Sequence, residues 1–184
     1  MKKLINAVLI VIACLTLISI TSIVRAQQNN NTAGENSKRS SDYALPYPGI
    51  LPDHPFYSIK MFRDKVISFF INTPQKKAEF NLLMVDKRVN AGLYLVDQKK
   101  MNLAVSTISK GQNYLDQALT IVESQKSALT DGKSLLERLE KATAKHEEVI
   151  ALILKKAYDE EKPAVRDLLE RTKQEQEKIK KLMK

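Results

Sequence analysis

The sequence predicts an all-α protein: an elongated antiparallel helical bundle, with a short Phe-rich helix, a long helical hairpin and one or two C-terminal helices after an N-terminal apolar leader helix. Three observations predict it. Apolar residues recur at spacings of three and four from residue 56 almost to the C-terminus. The chain holds only five glycines and no tryptophan, and is rich in Leu, Lys, Glu, Gln and Ala. Clear interruptions fall at Thr73-Pro74, Thr130-Asp131-Gly132 and Pro163, so the periodic stretches between them are long.

The leader comes first. Lys2 and Lys3 precede an apolar run from Leu4 to Val24, and Val24-Arg25-Ala26 then meets polar Gln27. That order fits an export signal cut between Ala26 and Gln27. A run of about 20 apolar residues is also long enough to stay in a bilayer as an uncleaved anchor. In either case the basic end stays inside and the remainder is exported. Val11-Ile12-Ala13-Cys14 loosely matches a lipoprotein cleavage box, but apolar Leu15–Ile20 follows where polar sequence is expected. Cys14 is the only cysteine, so the mature part has no disulfide and no thiol nucleophile. The expected location is therefore extracytoplasmic, secreted or membrane-anchored facing outside.

The chain divides into the signal or anchor at 1–26, a disordered or extended spacer at 27–52, a helical hairpin domain at 53–131, and a C-terminal helical segment at 132–184 that packs on the bundle or extends it. The spacer is rich in Asn, Gln, Ser and Thr to residue 44 and then carries prolines to Pro52. Removing leader and spacer leaves roughly 130 residues, enough to bury about two-thirds of the unfolded surface around one core.

The Phe-rich helix opens the domain. Asp53 or His54 can cap it and Pro55 suits its first turn. Phe56, Ile59, Phe62, Val66, Phe69 and Phe70 share helical spacing, and four of the five phenylalanines lie here. This concentration predicts an apolar plug on which the longer helices pack. Thr73 then caps the next helix, with Pro74 in its first turn. Its seam runs Ala78, Leu82, Val85, Val89, Gly92, Val96, and a second seam runs Ala104, Ile108, Gly111, Leu115, Ala118, Val122. The two are out of phase by one residue, which a turn near Asp97–Asn102 explains; one continuous helix with a skip is the alternative. After Gly132, Ser134 and Glu137 suggest a capping box. The third seam is Leu135, Leu139, Ala142, His146, Val149, Ile153. Pro163 either starts a fresh helix or kinks a long one. Val165, Leu168, Leu169, Thr172, Ile179 and Leu182 continue the pattern, but polar residues dominate after Thr172, so this tail is expected to fray or need a partner.

Of 30 basic residues, Lys2, Lys3 and Arg25 belong to the leader, leaving 27 against 21 acidic residues, a balance of +6. That excess is spread over both helical segments, and no one-signed cluster of the kind nucleic acid requires stands out.

Leu51, Pro52, Asp53, Pro55, Phe56, Tyr57 and Lys60, followed by Lys77, Ala78 and Arg88, resemble an uncharacterised bacterial exported helical domain family, domain-of-unknown-function family 5667. The resemblance spans about residues 48–125 and leaves the C-terminal helices outside. It implies an exported helical domain and carries no activity to transfer. The chain departs from the family's pattern at Arg88-Val89-Asn90-Ala91, which lacks an acid, and at the turn Lys99-Lys100-Met101-Asn102, which lacks a glycine.

Chemistry is sparse. The two histidines, His54 and His146, stand far apart, with no Glu-x-x-His pair, so no metal site is expected. His146 reads as a seam residue satisfied by a neighbour. No Gly-containing nucleophile turn or phosphate loop is present, and no carboxylate sits in an obviously apolar setting. The expectation is no enzyme and no cofactor. Gly92 and Gly111 stand on facing seams; they mark either close backbone approach around a bulky neighbour such as Phe69 or Phe70, or a groove or yielding point where a partner peptide could enter. The function expected is an exported, non-enzymatic interaction module of the bacterial cell envelope or exterior. Its partner would be a protein, not nucleic acid, with membrane contact only through the leader if it is retained. Two alternatives are a sensor or chaperone-like hairpin that binds peptide, and a binder of anionic envelope polymer or lipid through a basic surface.

Overall fold

Amphipathic stripes at helical spacing bury themselves only against one another, and here they do so in a bundle. The computed structural model describes residues 43–125 and 129–184. The leader, the Ala26/Gln27 position and the spacer through residue 42 lie outside the described residues. Among those described there are five helices and no strand: α1 Tyr57–Phe70, α2 Pro74–Asp97, α3 Met101–Ser124, α4 Gly132–Lys156 and α5 Lys162–Met183.

α2 and α3 form one antiparallel hairpin, and α4 and α5 form a second. The hairpins lie side by side, α4 against α2 and α5 against α3. Contacts between Glu79 and Arg138, Asp86 and His146, and Asp97 and Lys156 step along both helices in the same direction, so α2 and α4 run parallel. Every apolar residue of the α2, α3 and α4 seams is buried, with Ile108, Leu115, Leu139, Ile150 and Ile153 sealed from solvent. At roughly 25 cal/mol per Å² of apolar area, this burial is the main force holding the four helices together.

Local chemistry sets the ends. Thr73 accepts the Lys76 amide at 3.4 Å and Pro74 fills the first position of α2. At α4 the cap is Asp131, whose Oδ1 accepts the Ser134 amide at 3.2 Å; the Ser134 capping box is not used. α1 begins one turn later than the caps suggest, at Tyr57, with His54 Nδ1 accepting the Phe56 amide at 3.2 Å. Pro163 starts a new helix rather than bending α4, because the chain turns between Ala157 and Glu161. α5 does not fray at Thr172. It continues to Met183, with Ile179 fully buried one turn beyond a buried Glu175.

The α2–α3 connection is a tight turn, not a skipped register. Lys99 adopts φ 61°, the one described non-glycine residue with positive φ. The Lys100 amide donates to the Leu95 carbonyl and the Lys99 amide to the Val96 carbonyl, both at 2.9 Å, which is a Schellman closure. The left-handed conformation costs an L-residue about 1–2 kcal/mol, partly offset by the lower chain entropy of a non-glycine residue when unfolded. Lys99→Gly is therefore expected to raise stability by about 0.5–1 kcal/mol in urea titration. An unchanged midpoint would show that the turn carries no strain.

Residues 43–52 are not a loose spacer. Tyr43 and Leu45 pack on the core, Pro48 is buried, and the Asn90 side-chain amide donates to the Pro46 carbonyl at 2.9 Å. This extended strap runs along α2 towards the hairpin turn, where Asp53 pairs with Lys100.

Candidate functional site

α1 is amphipathic in sequence but packs the other way round from the plug its phenylalanines suggest. Its one buried residue is Asp64, while Phe56, Phe62, Phe69 and Phe70 are 60 to 81% exposed. Ile59, Val66 and Ile67 are exposed with them. The reason lies in what the inner face can bond to. Tyr57, Lys60, Met61, Asp64 and Ser68 line the side towards α2, and α2 offers Lys77 and Arg88 there.

The contacts that hold α1 are polar. Lys77 Nζ donates to the Ser68 carbonyl at 2.6 Å and to its hydroxyl at 2.7 Å. Arg88 donates to Tyr57 Oη at 3.3 Å and meets Met61 Sδ at 3.5 Å, with its guanidinium over the Tyr114 ring at 5.1 Å. Lys60 Nζ donates to the Pro48 and Ile50 carbonyls at 2.6 and 3.0 Å, tying α1 to the strap. Burial pushes that ammonium below the usual lysine range, with Asp64 opposing. Asp53, Tyr57, Lys60, Lys77 and Arg88 are residues on which the family resemblance rests. Their shared task is to fasten α1 with its phenylalanines outward.

Two buried polar clusters sit inside the bundle. Asp86 of α2 accepts from the Tyr43 hydroxyl at 2.5 Å and pairs with His146 Nε2 of α4 at 2.7 Å. Burial and the bond to Asp86 push the Tyr43 hydroxyl well above the usual tyrosine range, so it stays a donor. The His146 and Asp86 side chains are 2% and 4% exposed, and each satisfies the other across the α2–α4 interface. His146 is thus a seam residue satisfied across the interface.

The second cluster departs from the expectation that no carboxylate lies in an apolar setting. Glu175 of α5 is 1% exposed, and neither of its oxygens has a hydrogen-bond partner. Burial, then the nearby Asp116, push its pKa up to about 8 against the opposing Arg171. Arg171 Nε stands 3.4 Å from Glu175, while its Nη2 donates to Asp116 at 2.6 Å and Asn113 at 2.8 Å. Gln112 beside it donates to the Leu168 carbonyl and Thr172 hydroxyl. The signal for Glu175 was its place on the seam, since Leu168, Thr172, Glu175 and Ile179 step by four, three and four. Among the described residues no cluster of three or more His, Cys, Asp or Glu could hold a metal ion.

Gly92 and Gly111 do mark close approach, but around different neighbours from Phe69 and Phe70. A Cβ on Gly92 would lie 2.5 Å from Ile108 Cγ1, and one on Gly111 would lie 3.0 Å from Arg88 Cβ. The space above Gly92 is filled by a sealed isoleucine rather than open to a peptide. Gly92→Ala gains about 1 kcal/mol of helix propensity yet forces Ile108 from a closed site, so a net loss of about 1–2 kcal/mol is expected in thermal unfolding. A stabilised variant would mean that the bundle yields at this point.

These features define a class: an all-α domain of two packed hairpins, carrying a peripheral amphipathic helix turned apolar side out. Residues 49–160 match the family described as domain of unknown function (DUF5667), and the chain belongs to that family. The match reaches beyond the hairpin into α4, further than the resemblance quoted above. Comparison with curated proteins and with solved structures returns no match.

Proposed function

We propose that this chain is an exported, non-enzymatic interaction module whose working surface is the outward face of α1. The observation that carries it is the inverted packing of that helix. Burying a phenylalanine contributes about 1.5–3 kcal/mol, yet four stay largely exposed while the polar side is bonded inward. Exposed apolar patches of this kind mark interaction sites. The leader and the polar spacer support delivery of the domain across a membrane. The buried polar residues are engaged in packing: Asp86 and His146 join the hairpins, and Glu175 is sealed in the α5 seam.

Two measurements in the producing cells test this. A phosphatase reporter fused after Lys184 should be active, as exported phosphatase is; an inactive fusion would remove export. A photo-crosslinking residue at Phe62 should form adducts, whereas one at exposed Gln174 on α5 should not. Equal yields at both positions would remove the α1 face as the working surface.

A further inference from the structure

The exposed face of α1 has a shape and charge that select its occupant. At about 100° per residue, Phe69, Phe62, Val66, Ile59, Phe70, Phe56 and Ile67 cover an arc of roughly 160°. Lys65 borders the arc, and Arg63 lies within it with its side chain 59% exposed. The only acid on α1, Asp64, is turned inward, where Arg63 also bonds it at 2.8 Å. The outer surface of α1 therefore carries phenylalanines, aliphatics and cations but no acid, and Lys76 at the start of α2 adds a further exposed cation.

With 14 residues, α1 is about 21 Å long, too short for a hydrocarbon core of about 30 Å. No helix among the described residues is long and apolar enough to cross a membrane. A short helix with a broad apolar arc and cations at its border suits the plane of a bilayer surface, where rings enter the acyl boundary and Lys and Arg reach the headgroups.

Resting on the reading above, we propose that α1 lies in the surface of a bilayer containing anionic phospholipid. The chain outside the described residues agrees with this occupant. The apolar run Leu4–Val24 stands 19 residues before Tyr43. If that run remains in the bilayer, the covalent connection tethers the domain to the same surface, which favours a second, weaker contact. A second copy of the chain fits less well. Two helices of this length crossing face to face bury less than the roughly 1,200 Å² of a stable interface. They would also bring two Arg63 side chains together.

The test uses the full chain with Cys14→Ser, reconstituted through its leader. A polarity-sensitive fluorophore is placed on Phe62→Cys, Phe69→Cys or, as control, Gln174→Cys. In phosphatidylcholine vesicles containing phosphatidylglycerol, labels at 62 and 69 should shift to the blue and be quenched by nitroxide-bearing lipid, while the label at 174 keeps its aqueous emission. In pure phosphatidylcholine, or after Arg63→Gln with Lys65→Gln, the ratio of embedded to exposed label should fall about tenfold or more.

Aqueous emission at 62 and 69 in the anionic vesicles overturns the bilayer as occupant. So does a blue shift that needs no lipid and fades on dilution, which would identify a second copy. Emission changed by soluble polyphosphate but not by vesicles would assign the cations to an anionic polymer instead. If vesicles fail but the Phe62 crosslink in cells yields a protein adduct, the interaction module stands and only its partner changes. If both fail, both readings fall.

Discussion

Asp86→Ala is expected to remove about 2–5 kcal/mol of stability, since it leaves two buried polar groups unsatisfied at about 1–3 kcal/mol each. The carboxylate is the shared acceptor for Tyr43 and His146, and alanine leaves both polar groups without their partner in the interior. That is a large part of the 5–15 kcal/mol by which domains of this size are stable. The loss has a spatial signature. Tyr43 anchors the strap, so limited proteolysis within residues 44–51 should accelerate more than cleavage in α5. Asp86→Asn keeps one acceptor oxygen and should cost markedly less. A loss below about 1 kcal/mol for alanine would show that water enters and replaces the carboxylate.

Glu175→Gln is expected to abolish a pH dependence rather than shift stability uniformly. The ordinary carboxyl pKa of 4.5 applies to the unfolded chain, whereas the folded chain holds its proton up to about 8. Between those values the folded state carries a proton that the unfolded state lacks, so stability falls as pH rises through this window. It is highest below about 4.5 and levels off above about 8. At about 1.4 kcal/mol per unit the total is a few kcal/mol. Glutamine mimics the neutral acid, so the variant should match the parent near pH 5 and exceed it by about 2–4 kcal/mol at pH 9. Denaturant titrations at the two pH values check it. Equal slopes with pH in both proteins would mean that Glu175 is charged and solvated at pH 7.

The seams of α2, α3 and α4 were legible residue by residue, because a core-facing stripe must repeat with the turn of the helix. Asp86 and Glu175 obey the same spacing, Asp86 with Leu82 and Val89, Glu175 with Thr172 and Ile179. Spacing alone does not mark them as buried, because a carboxylate is ordinarily solvated unless the fold supplies a partner or seals it in. The phase slip between the two seams places a turn near Asp97–Asn102, but not the left-handed residue that closes it, Lys99. Its left-handed conformation is enforced by the packing of α2 on α3 and has no glycine to announce it. Gly92 and Gly111 were placed on the right faces, yet their neighbours, Ile108 and Arg88, depend on the register of two helices, which neither helix encodes alone.

The sequence by itself determined that amphipathic helices form, that they are interrupted at Thr73-Pro74 and Thr130-Asp131-Gly132, and which residues of each are apolar. Only the tertiary structure decided which apolar faces are covered. The four long helices close their core among themselves, so α1 finds no apolar surface left to join. Lys77 and Arg88 instead draw its hydroxyls, its thioether and the buried side around Asp64 inward. Periodicity reports that a helix has two faces; which one meets solvent is settled by the partners available in three dimensions.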